Sequence, residues 1–71
     1  MPDAIVLFKT EPTRERDVYL SLTEMDSVQE LHALYGEYDI LARITAPDSN
    51  SLTLMLMNEI RQIGGVKDTQ T

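Results

Sequence analysis

A chain of 71 residues has room for one domain, which buries only about 60% of the surface its unfolded chain exposes, so its stability calls for support beyond a single small core. There is no cysteine and a single histidine, His32; disulfides and a tetrahedral zinc set are thereby excluded, any metal would rest on oxygen ligands alone, and oligomerisation is the remaining support. The net charge of −6 sets twelve carboxylates against Lys9, Arg14, Arg16, Arg43, Arg61 and Lys67, scattered cations that form no phosphate-tracking stripe and argue against direct nucleic-acid binding.

Met1-Pro2-Asp3 leads straight into an apolar run without a basic leader, and no apolar stretch approaches the ~20 residues that span a bilayer. An unexported, cytoplasmic protein is expected. The run Ala4-Ile5-Val6-Leu7-Phe8 is rich in β-branched and aromatic residues and reads as a strand buried on both faces. Glu11-Pro12-Thr13 has the chemistry of a helix start with Thr13 as N-cap, and Asp17 sits near the positive end of the helix dipole. This helix is predicted to reach Met25, with Val18, Leu22 and Met25 within an arc of about 60°.

Val28 to Tyr35 reads as a second strand, with Leu31, Ala33 and Tyr35 on one face and Val28 and Leu34 on the other. After Gly36, alternation resumes from Tyr38 to Thr45 and places Tyr38, Ile40, Ala42 and Ile44 on one face, so the two strands form a hairpin through a glycine turn. Ala46-Pro47-Asp48 ends the strand and supplies Asp48 as the next N-cap. The second helix is predicted from Ser49 to Ile63, with Leu52, Met55, Leu56, Ile60 and Ile63 in an arc of about 140°, and Gly64-Gly65 as its stop. Val66 to Thr71 closes the chain as a short strand.

The order β-α-β-β-α-β, with connections this short, predicts an α+β, ferredoxin-like antiparallel sheet carrying both helices on one face. Residues 1–71 form one domain, without repeats or an internal boundary. Because the first strand is apolar on both sides while the helices cover only one, a second copy is expected on the open face. Leu20, Leu54 and Met57 point away from the helical core stripes and are candidates for further assembly. Met55 and Met57 without Cys or a second His are gap-filling and interface residues, not a soft-metal site.

In Tyr35-Gly36-Glu37-Tyr38-Asp39, a carboxylate beside exposed backbone groups can receive a ligand's ammonium group while Tyr38 forms a wall; the same residues also suit a solvated hairpin with half-buried aromatics. Thr69 and Thr71 alternate onto one face of the last strand, as ligand donors or simply as good strand formers. His32 is the one side chain titrating near neutrality, and Glu30, Glu37 and Asp39 are its possible neighbours.

The stretch Tyr35-Gly36-Glu37-Tyr38-Asp39-Ile40-Leu41-Ala42-Arg43-Ile44, with the Ile5-Val6-Leu7-Phe8-Lys9 opening and the Ile63-Gly64-Gly65-Val66-Lys67-Asp68-Thr69-Gln70-Thr71 close, resembles the effector domain of the Lrp/AsnC transcription regulators, the RAM domain. The resemblance covers nearly the whole chain. It implies a domain that pairs through its sheets into an α/β-barrel-like dimer, assembles into a ring of dimers and binds free amino acids, with no cofactor, metal or catalytic residue.

By matched position it implies that Gly36 opens amides to a carboxylate, Asp39 meets the ammonium group, Tyr38 lines the pocket, and Thr69 and Thr71 contribute hydroxyls. The family's regulators carry a helix-turn-helix unit ahead of this one, whereas this chain begins at the first strand. It thus looks like a stand-alone effector domain, acting on transcription indirectly through a DNA-binding relative. The rival readings are a dimeric ferredoxin-like enzyme, an isomerase or monooxygenase type using His32, and a purely structural interaction module.

Overall fold

Four strands and two helices follow one another in a computed structural model that describes residues 2–71. Strand β1 is Asp3–Thr10, helix α1 Glu15–Thr23, β2 Val28–Ala33, β3 Ile40–Thr45, α2 Ser49–Met55 and β4 Val66–Gln70. The sheet is antiparallel with order β2-β3-β1-β4, so the α+β, ferredoxin-like arrangement expected from the element order is the one observed. No helix among the described residues is long and apolar enough to cross a membrane.

Period-two alternation decides which side of the sheet is buried. Val6 and Phe8 of β1 and Ile40, Ala42 and Ile44 of β3 are fully or almost fully buried, together with Val18 and Leu22 of α1 and Ile60. Both helices therefore pack on one face. The opposite face carries Ile5, Leu7 and Leu41; the register pairs Leu7 with Leu41, and Ile5 is 47% exposed. Thus β1 is buried on one side and half-covered on the other within a single chain. Leu20, Leu54 and Met57 are exposed, as their helical angles predict.

Local departures from the expected boundaries have identifiable causes. Thr13 is not the N-cap of α1: it adopts φ 73°, a left-handed conformation costly for a β-branched residue, and Arg14 takes the cap position without a side-chain cap bond. The helix stops at Thr23, short of Met25, which still packs against the core.

Strand β2 ends at Ala33, short of Tyr35, and β3 begins at Ile40 after Tyr38. A register irregularity between Val28 and Glu30 pairs Val28 with Ile44 and Leu31 with Ala42. This bulge brings Val28 and Leu31 onto the same, helix-facing side, where strict alternation separates them.

Asp48 does cap α2, its Oδ1 accepting from the Ser51 amide at 2.8 Å. The helix continues directly into a π-helical segment, Leu56–Ile60, in place of regular α-helix to Ile63. Gly65 rather than Gly64 carries the positive φ, 99°, and a Cβ there would lie 2.9 Å from Arg14 Cβ, so glycine allows α1 to approach this turn closely. Strand β4 ends at Gln70, leaving Thr71 outside it.

The Ser51 amide holds the Asp48 carboxyl below its ordinary value of 3.8. A depressed folded value means that the stabilisation is complete above the unfolded pKa and fades as pH falls through the folded one. Asp48→Ala is expected to lower Tm at neutral pH, with the gap to the parent narrowing below pH 3.8; a gap independent of pH in thermal scans would refute the charged cap.

Candidate functional site

The connection of residues 34–39 folds over the end of β1. Leu34 donates its amide to the Asp39 carbonyl and Asp39 its own to the Phe8 carbonyl, both at 2.8 Å. Between these anchors Gly36 has φ 124°. A Cβ there would meet nothing within 4 Å, so glycine is required by backbone conformation and not by space. The amides of Gly36, Glu37 and Tyr38 make no hydrogen bond to the described residues, which leaves three donors open at the loop.

Asp39 terminates the β1–β3 ladder. Its Oδ2 accepts from the Thr10 amide at 2.9 Å and from Thr10 Oγ1 at 3.0 Å, so a carboxylate replaces the backbone carbonyl that another ladder residue would present. Thr10 is buried, and both of its donors depend on this oxygen. The second oxygen, Oδ1, accepts nothing from the described residues.

Tyr38 donates from its hydroxyl to Gln70 Oε1 at 2.6 Å, tying the loop to β4. Lys9 Nζ lies 5.8 Å from the Tyr38 ring centroid and 3.8 Å from Glu37 Oε1. Sequence reasoning did not single out Thr10, Lys9 or Gln70. The available signal was Gln70 lying between the two threonines; nothing local marks Thr10 as the partner of a residue 29 positions away.

The structure thus gathers Gly36, Tyr38 and Asp39 on one loop. Thr69 is placed differently: it pairs with Phe8, which turns its side chain to the helix-facing side of β4, whereas Gln70 pairs with Leu7 on the open side. Thr69 lines a depression of about 340 Å³ with Arg61, Val66, Lys67 and Asp68. Thr71 is exposed beyond the strand end.

His32 lies on the open face of the sheet, its Nε2 3.6 Å from Glu30 Oε1. Neither Glu37 nor Asp39 is its ion-pair partner. Arg43 binds Glu30 through Nε and Asp3 through Nη1, the latter at 3.2 Å. The Arg43 hydrogen bond lowers the Glu30 pKa and the Glu30 carboxylate raises that of Arg43, so Glu30 serves Arg43 more than it serves His32. Among the described residues no group of three His, Cys, Asp or Glu side chains is placed to hold a metal ion.

The chain is similar to known proteins over nearly its whole length. The profile of the Lrp/AsnC ligand binding domain matches residues 3–71. An uncharacterised HTH-type transcriptional regulator of Pyrococcus furiosus is 29% identical over 68 residues, covering 96% of this chain and 46% of the relative. The chain spans about half the length of the curated relatives it matches. The crystal structure of FFRP-DM1 superposes with TM-score 0.95 at 28% identity, covering 99% of this chain and 93% of that one. A transcriptional regulator of Neisseria meningitidis solved with L-Met shares the fold, with TM-score 0.83 at 21% identity over 96% of this chain and 46% of its own.

Proposed function

The chain belongs to the Lrp/AsnC ligand-binding domain family, and on that premise we propose that it senses a free amino acid at the 34–39 loop and couples binding to its own assembly. As a family member it is a small-molecule-binding regulatory domain; the amino acid, the site and the coupling are the proposal. The observation that carries it is the complementarity of this loop to a zwitterion. Open amides at Gly36, Glu37 and Tyr38 suit a carboxylate, the free Oδ1 of Asp39 suits an ammonium group, and the Tyr38 ring, its hydroxyl tied to Gln70 of β4, offers a wall.

The bound L-Met in the Neisseria meningitidis regulator of the same fold supports amino acids as the ligand class. A second subunit is the natural source of further walls for this loop. Ligand held between subunits favours the assembled state by its differential affinity for that state. The effect on transcription then runs through association with a helix-turn-helix relative.

Calorimetry across the twenty amino acids is the direct test. At least one is expected to give a saturable heat and, at about 100 times its Kd, roughly 2.7 kcal/mol of added stability. Silence from all twenty with an assembled sample would reject the amino-acid reading.

A further inference from the structure

We propose that the corner between the π-helical segment and β4 is a second ligand site, one that takes a small anion, a carboxylate or a phosphate monoester, between Arg61 and Lys67. Both cations line the depression of about 340 Å³, a volume within the range of small-molecule sites. Lys9, Arg14 and Arg43 each have a carboxylate partner. Arg61 and Lys67, like Arg16, have none among the described residues, in a chain carrying twice as many acids as bases; unlike Arg16, they line one depression. Two cations lining one concavity favour an anion within it.

The wall of the depression already holds one carboxylate. Strand β4 is an edge of the sheet, and the Thr69 amide, turned outward, is taken by Asp68 Oδ1 at 2.9 Å. Asp68 forms no ion pair with Arg61 or Lys67 among the described residues, so two cations stand against the one carboxylate that shares the depression. An arginine fork, a lysine point charge and the Thr69 hydroxyl together make the donor set that carboxylate and phosphate oxygens require. The π-helical segment ends immediately before Arg61, and such widened turns recur at functional positions.

This site is separate from the zwitterion loop. Thr69 faces the helix side of the sheet and the Tyr38–Gln70 pair the open side, so the two sites stand or fall independently.

The test is an NMR titration with inorganic phosphate and, separately, acetate, each against sodium chloride at matched ionic strength. Phosphate or acetate is expected to give saturable shifts at the amides of Arg61, Lys67, Asp68 and Thr69. The R61Q/K67Q double variant, which alters only exposed side chains, is expected to weaken binding by about tenfold or more while the rest of the spectrum is retained. Tighter binding of phosphate would assign a phosphorylated ligand, and tighter binding of acetate a carboxylate. Shifts reproduced by sodium chloride, or a double variant that binds as the parent does, would overturn the proposal.

Discussion

Leu41→Glu is expected to leave the monomer folded and to abolish its self-association. Leu41 pairs with Leu7 on the face away from the helices, so the substitution leaves the Phe8, Ile40 and Leu22 core intact. In a twofold interface each subunit contributes the new charge, and burying it without a partner costs several kcal/mol. About 4 kcal/mol corresponds to a dissociation constant raised on the order of a thousandfold. Light scattering at micromolar concentration reads the outcome. An unchanged assembly with native circular dichroism would show that this face is not the interface, and the shared pocket would lose its walls.

Replacing Asp39 separates two roles that its two oxygens divide. Asp39→Ala strips the buried Thr10 amide and hydroxyl of their acceptor, at an expected cost of about 1–3 kcal/mol in denaturant unfolding. Asp39→Asn keeps an acceptor for Thr10 but removes the charge offered to an ammonium group. It should therefore stay close to the parent in stability while losing amino-acid affinity by about 10- to 100-fold, the worth of a hydrogen bond to a charged group. Parent-like affinity in Asp39→Asn would confine Asp39 to holding the end of β1.

The elements most legible from local pattern were those in which one periodicity and one cap act alone. Ile40, Ala42 and Ile44 alternate without interruption and are all fully buried. Asp48 follows a proline and precedes a helical stripe, and it caps as that position dictates. Helix α1 was less legible because Thr13 competes with the turn Glu11 needs: Glu11 donates to the Gly65 carbonyl and accepts from the Arg14 amide, which forces Thr13 into a left-handed conformation. The β2 bulge escaped notice because an extra residue in one strand is specified by its partner across the sheet and not by its neighbours in sequence.

The candidate site divides along the same line. Its loop was legible because Gly36 beside Tyr38 and Asp39 is a local arrangement. Its wiring was not, because Asp39 with Thr10 and Tyr38 with Gln70 join residues 29 and 32 positions apart. Thr69 and Thr71, grouped by alternation, are parted by the end of β4 at Gln70.

Composition and periodicity alone determined that this acidic chain takes an α+β fold with two helices on one face of its sheet, because hydrophobic burial acts on the pattern of side chains residue by residue. Tertiary structure decided which oxygen of Asp39 is committed, which side of β4 Thr69 faces and that Arg61 and Lys67 line one depression, because contacts between distant residues depend on strand register, which only the assembled sheet establishes.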